Sequence, residues 1–169
     1  MLTPDQLREY VIRPAQPEDA PAVAACVDEA YRHYVARIGR PPGPMTEDYE
    51  TVIRDFQVTV VESAGRIVAV LVLAEAGEGF LLENVAVVPA HRGRGLGRHL
   101  FEVAESEARR QGFDSIYLYT HEGMTENRAM YGRLGYVEYD RRTEMGLDRI
   151  YMRKRLGCSA PPQPDVPCS

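Results

Sequence analysis

Seven residues, His91–Gly97, read HRGRGLG, with three glycines at alternate positions around Arg94 and Leu96. Alternate glycines make a poor helix and a poor strand. Bare backbone lets a ligand approach closely, and the first N–H groups of a following helix point outward without partners. Together with the helix dipole, such groups form a site for an anion. Arg92, Arg94 and Arg98 add charge and donors suited to phosphate. The residues alone therefore point to a phosphorylated ligand. The plain alternative is a glycine-rich surface turn with incidental arginines.

Two common phosphate fingerprints do not fit. A Walker A loop needs G-x-x-x-x-G-K-[ST], and no Lys-Ser or Lys-Thr pair is present here. A dinucleotide fingerprint needs G-x-G-x-x-G, whereas the glycines at 93, 95 and 97 read G-x-G-x-G. The segment also follows a run of strands rather than opening a βαβ unit.

The elements that must position this segment follow from periodicity and punctuation. YVIRPA (10–15) reads as an opening strand. Pro17 starts a helix with Glu18 and Asp19 in its first turn; Val23, Val27, Ala30/Tyr31, Tyr34/Val35 and Ile38 keep helical spacing until Gly39. GRPPGP (39–44) is a rigid loop, and Thr46 is placed to cap a helix from Glu47 to about Asp55. FQVTVVES and RIVAVLVLAE are two β-branched runs joined by Ala64-Gly65 as a hairpin, and the turn GEG (77–79) leads into FLLENVAVV. After the glycines, Leu96, Leu100, Val103, Ala104 and Ala108 mark one face of a helix that Gly112 ends. DSIYLYT (114–120) is a strand, and TENRAMYGRLG (125–135) a short helix with a Thr cap. YVEYDRRTE and DRIYMRKRL form a closing strand pair around MGLD. The order β α α β β β α β α β β describes one α/β domain over residues 1–156. Residues 157–169, with four prolines and little to bury, read as a disordered tail.

VAVVPAHRGRGLGRHLFEVAESEARRQG resembles the coenzyme A motif of the GNAT N-acetyltransferases: an apolar strand, a proline, then [Q/R]-x-x-G-x-[G/A] opening a long helix. Here that motif is Arg92-Gly93-Arg94-Gly95-Leu96-Gly97. MYGRLGY (130–136) is similar to the family's second signature, a tyrosine five residues before Gly-Phe/Tyr. The element order matches the family fold, so the resemblance covers about Val11 to Leu156. It implies a mixed, mostly antiparallel central sheet flanked by helices and splayed at the CoA-binding strand. It also implies acetyl-CoA as donor, with the pyrophosphate on the N–H groups of Gly93 to Arg98. The pantetheine would lie along Val85, Ala86 and Val87 as an added pseudo-strand, beside a β-bulge.

Acetyl transfer to an amine requires a neutral amine, a stabilised oxyanion and a tolerated thiolate. An alkylammonium with pKa about 10.4 is neutral in only about one molecule in 10³ near pH 7, so a base helps. A thiol of pKa about 8.5 leaves more readily beside an acid. The resemblance puts Tyr131 beside the sulfur as that acid; the alternative is a core tyrosine with a satisfied hydroxyl. Glu83 interrupts an apolar strand, on the face of Leu81 and Val85 unless a bulge intervenes. A carboxylate there must face a cleft or a partner, which makes Glu83 the candidate base or else half of a structural ion pair. Many relatives carry a CoA-binding asparagine seven residues before the tyrosine. Met124 stands there in this chain, and Asn127, one turn later, is the substitute. His33, Tyr34 and Tyr119 are candidate acceptor-binding residues, with Tyr31, Arg37 and His121 nearby.

Composition bounds the rest. A net charge of −5 with acids and bases interspersed argues against a dedicated nucleic-acid binder and mildly favours a cationic amine, from a small molecule or a peptide. The first ten residues lack the cationic start and apolar core of a signal peptide, and the longest apolar run, Ile67 to Ala74, is too short to span a membrane. Three scattered cysteines indicate no disulfide framework and no metal cluster, and fit a reducing cytoplasm. None lies near the proposed site, so direct transfer in a ternary complex is expected. By analogy with relatives, the closing strands could pair in a homodimer. The rival readings are a non-catalytic acyl-CoA sensor, and a transferase that uses another acyl group or acts on a protein N-terminus.

Overall fold

The computed structural model describes residues 2–157, so the tail expectation falls, from Cys158 on, outside the described residues. The helices are α1 (Pro4–Leu7), α2 (Ala20–Tyr31), α3 (Tyr34–Ile38), α4 (Tyr49–Asp55), α5 (Leu96–Arg110) and α6 (Thr125–Arg133). The strands are β1 (Val11–Pro14), β2 (Gln57–Ser63), β3 (Arg66–Ala76), β4 (Gly79–Val87), β5 (Ser115–His121), β6 (Val137–Glu144) and β7 (Leu147–Arg155).

From Ile67 to Ala74, β3 is buried at every position, without alternation. Only a strand covered on both faces tolerates that pattern. It accordingly sits inside a seven-stranded sheet ordered β1-β2-β3-β4-β5-β7-β6. All neighbours are antiparallel except β4 and β5. Helix α2 packs on β3 and β4, and α5 packs on β3, β4 and β5. The core joins Val23, Val27 and Ala30 of α2 to Leu100, Phe101, Ala104 and Ala108 of α5 through the sheet. A smaller cluster of Leu81, Tyr117 and Tyr151 lies across β4, β5 and β7. Among the described residues no helix is long and apolar enough to cross a membrane.

The turns follow local chemistry. Ala64 and Gly65 both take positive φ, +50° and +77°, as a two-residue hairpin with right-handed strand twist requires.

Three expectations need correction. The first long helix is not continuous: a 3-10 turn covers Pro17–Asp19, and the α-helix breaks between Tyr31 and Tyr34. In an unbroken helix Tyr34 N–H would bond to Ala30 O. The Arg92 guanidinium takes that carbonyl instead. Thr46 does not cap α4; its hydroxyl donates to Gly43 O at 2.8 Å. Asp48 caps the helix, accepting from Glu50 N–H at 3.1 Å. Thr125 is likewise not a cap but the first residue of α6, after Met124.

Leu100 is fully buried beneath α5. Leu100→Ala should lower the unfolding free energy by about 2–5 kcal/mol, the range for a truncated core leucine. Urea unfolding checks this; a loss below about 1 kcal/mol would mean that α5 is not fastened through this residue.

Candidate active site

The strands β4 and β5 pair only at Phe80↔Ile116 and Leu81↔Tyr117. Past Leu81 they diverge. The reason lies on the other edge of β4: Leu73 pairs with Leu82, but Val72 pairs with Asn84. Glu83 is the extra residue of a β-bulge, which bends a strand and re-aims its side chains. Alternation is lost there, so Glu83 and Asn84 both line one cavity although they are consecutive.

Two cavities occupy the divergence. The larger, of about 500 Å³, runs from Val85, Ala86 and Val87 past Arg92, Gly93, Gly95, Gly97 and Arg98 to Asn127 and Tyr131 of α6. The smaller, of about 80 Å³, is bounded by Glu83, Asn84, Tyr119, His121, Arg149, Glu47 and the Pro42–Pro44 loop. Tyr31, Val85, Asn127 and Tyr131 line both. The two spaces therefore meet at one wall.

Gly93 and Gly95 have φ of +73° and +87°, a region that side-chain-bearing residues rarely adopt. This turn leaves the N–H groups of Gly93 through Arg98 without a hydrogen-bond partner among the described residues; the first that bonds back is His99 N–H, to Gly95 O at 3.0 Å. A row of free donors at a helix start, with arginine charge close by, fits a pyrophosphate. The arginines divide the work. Arg92 donates to Val87 O at 3.1 Å and to Ala30 O, tying β4 to α2. Arg94 lies outside the cavity lining and pairs with Glu9 at 3.7 Å. Arg98 lines the cavity and pairs loosely with Glu102. Leu96 has a buried side chain and offers only its backbone N–H.

In the smaller cavity, the Tyr119 hydroxyl donates to Glu83 Oε1 at 2.7 Å. The Arg149 guanidinium lies 4.5 Å from the Tyr119 ring centre and pairs with Glu144 at 2.8 Å. Burial raises the Glu83 carboxyl above its ordinary value, against the opposing pull of the Tyr119 hydrogen bond. Burial also pushes the Tyr131 phenol well up. Its hydroxyl has no hydrogen-bond partner among the described residues, and its ring packs against Phe101. His33 and Tyr34 stack at 3.9 Å and line the larger cavity, beside the glycines, rather than the smaller one. The Tyr34 hydroxyl donates to Asn127 Oδ1 at 3.2 Å.

Tyr131, Glu83, Tyr119 and Asn127 are thus brought together, while Arg94 stands apart. Sequence reasoning missed Asn84, Glu47 and Arg149. For Asn84 the signal was present: two polar residues, Glu83-Asn84, inside an otherwise apolar strand.

The model of the "Acetyltransferase (GNAT) family" matches residues 23–136. The chain belongs to the GNAT acetyltransferase family. Its family is one of acyltransferases. N-alpha-acetyltransferase 80 of Mus musculus is 37% identical over 93 residues, 52% of this chain and 27% of that protein. The chain thus spans about a quarter of the length of that curated relative. Nourseothricin acetyltransferase has a similar fold, with TM-score 0.67 and 23% identity over 88% of this chain and 99% of that one. So does the PaiA N-acetyltransferase of Thermoplasma acidophilum, solved with coenzyme A, with TM-score 0.70 and 17% identity over 86% and 98%.

The geometry at Glu83 can be read directly. A ¹³C titration of its carboxyl should give a midpoint above the usual glutamate value of about 4.3. Tyr119→Phe removes a bond to the charged form and should raise the midpoint further. A downward move would contradict the observed donor–acceptor arrangement.

Proposed function

We propose that this chain moves an acetyl group from acetyl-CoA directly onto a primary amine of a small molecule or a peptide. The observation that carries the reading is the wall of Tyr31, Val85, Asn127 and Tyr131 shared by the two cavities. One cavity holds the free N–H row; the other holds a half-buried carboxylate. The donor supplies an activated thioester carbonyl, and the protein must orient it, free the amine and receive the leaving sulfur.

The N–H groups of Gly93 to Arg98, with Arg98 beside them, bind the pyrophosphate. Val85, Ala86 and Val87 offer the strand edge that β5 vacates, and Asn127 and Tyr131 close the opposite side. Backbone N–H groups along that edge suit the oxygen of the thioester as charge develops on it. Glu83 takes a proton from the ammonium form of the acceptor. Its raised pKa narrows the gap to the amine and so eases that transfer. The Tyr131 hydroxyl keeps its proton across neutral pH and donates a hydrogen bond to the departing sulfur. Tyr119 orients Glu83. Two carboxylates in the acceptor cavity, Glu47 and Glu83, support a cationic acceptor.

Acetyl-CoA at 100 times its Kd should stabilise the chain by about 2.7 kcal/mol in a thermal melt. Thiol release should then follow with some member of a panel of polyamines, amino acids, aminoglycosides and peptides. Stabilisation without release from any amine would favour a non-catalytic acyl-CoA sensor. Tyr131→Phe should lower kcat by about 10²-fold, in the range for a lost general acid, with little change in acetyl-CoA affinity. An unchanged kcat would remove Tyr131 from the acid role. On the acid side, kcat/KM should fall as pH drops through the raised Glu83 pKa, and Tyr119→Phe should move that limb to higher pH.

A further inference from the structure

Two segments that share no backbone ladder meet at one side of the smaller cavity. One is the end of α3 with the loop after it, from which Ile38, Pro42, Pro44 and Glu47 line the space. The other is the β6–β7 turn with the start of β7, from which Leu147 and Arg149 line it. Among the described residues a single hydrogen bond joins the two: Arg40 Nη2 donates to Met145 O at 2.6 Å. The turn fits the guanidinium closely. Met145 and Gly146 take φ of +51° and +73°, as both central residues of a two-residue hairpin turn do. A left-handed methionine is strained, and its side chain is 86% exposed, so packing does not account for it. A Cβ added at Gly146 would stand 3.2 Å from Arg40 Nη1, so the arginine lies against bare backbone.

The loop is fastened at both ends, unequally. At its far end the Tyr49 hydroxyl, on a side chain only 5% exposed, donates to Pro44 O at 2.6 Å. At the near end Arg40 and its bond are exposed, where water and salt compete for a charged donor. Between these points Pro41, Pro42 and Pro44 fix φ and stiffen the chain. Gly39, at φ +84°, makes the bend where it leaves α3. A stiff segment held firmly at one end and weakly at the other yields at the weak end.

We propose that Arg40 is a positioning residue for the acceptor: its bond to Met145 O holds the 39–47 segment against the β6–β7 turn, and so sets how well the smaller cavity holds a compact amine. The proposal rests on the acyl-transfer reading for the occupant, but not for the closure. At about 80 Å³, when one water needs about 10–15 Å³ on this measure, the cavity takes about half a dozen heavy atoms. n-Propylamine fits within that space and gains from the closed wall. The tripeptide amide of glycine is too large to be enclosed and draws less from it. Neither segment lines the larger cavity, so the donor is held independently of Arg40.

Arg40→Ala should raise KM for n-propylamine about three- to tenfold, the scale of one hydrogen bond, while kcat and acetyl-CoA affinity change less than twofold. KM for the tripeptide amide should move less, so the ratio of kcat/KM for the small acceptor to that for the large one falls. Arg40→Lys, whose ammonium also donates to a carbonyl, should recover most of the loss. A KM for n-propylamine unchanged within twofold overturns the proposal and leaves acyl transfer standing. So does an equal rise for both acceptors, or a matching loss of acetyl-CoA affinity, since either marks Arg40 as a general stabiliser. The closure is read separately, without turnover, by hydrogen exchange. The Met45 amide, which donates to Pro42 O at 3.0 Å within the segment, should exchange faster in Arg40→Ala and return towards the wild-type rate in Arg40→Lys. If no amine is turned over, that rate alone decides: faster exchange upholds the closure while acyl transfer fails, and an unchanged rate overturns it.

Discussion

Past Leu81 the strands β4 and β5 exchange no hydrogen bonds, and the rest of the site depends on that gap. A sheet interior ordinarily has no room for a ligand, because neighbouring strands lie about 4.8 Å apart and satisfy each other's backbone. Here the bulge at Glu83 bends β4 away after two pairs. The vacated edge keeps its polar groups, and two cavities open on either side of one wall. The same irregularity that makes the slot also turns Glu83 and Asn84 into it. Opening the sheet and arming the opening are thus one event in the backbone.

The helices hold the gap open. Arg92 bridges from the glycine segment to Val87 O and Ala30 O, so it fastens the end of β4 to the end of α2. In doing so it ends α2 and lets α3 start a new turn, which carries Tyr34 to Asn127 on α6. The arginine that reads most readily as a phosphate ligand is thus also a structural clamp. The free N–H groups beside it depend on the clamp, since they point at a ligand only while the turn at Gly93 and Gly95 is held.

Burial sets the electrostatics. Glu83 sits where water is scarce, which raises its pKa, and Tyr119 limits the rise by bonding to the charged form. Arg149 lies over the Tyr119 ring and is itself neutralised by Glu144. The chain Glu144–Arg149–Tyr119–Glu83 crosses from the closing strands to the bulge. Its members come from β6, β7, β5 and β4, so the β6–β7 hairpin contributes to the electrostatics of the smaller cavity as well as closing the sheet.

Most of the fold was legible in the chain because it rests on local rules. Unbroken apolar runs marked strands buried on both faces, helical spacing marked α5, and Gly39, Gly65, Gly93 and Gly95 marked turns where φ is positive. The glycine-arginine segment pointed to a phosphorylated donor because free N–H groups at a helix start are a local property. The breaks in that reading were non-local. A helix ended because an arginine about sixty residues away took its carbonyl, and Asp48 rather than Thr46 formed the cap because α4 begins only at Tyr49. Residue types by themselves determined the sheet's strands, the anion-binding turn and the presence of a carboxylate in an apolar strand. Only the tertiary structure decided that Glu83 is the bulged residue, that it meets Tyr119, and that His33 and Tyr34 line the larger cavity. Those outcomes depend on pairing register and on contacts between distant segments, and a one-residue shift in register reverses which side of a strand every later side chain faces.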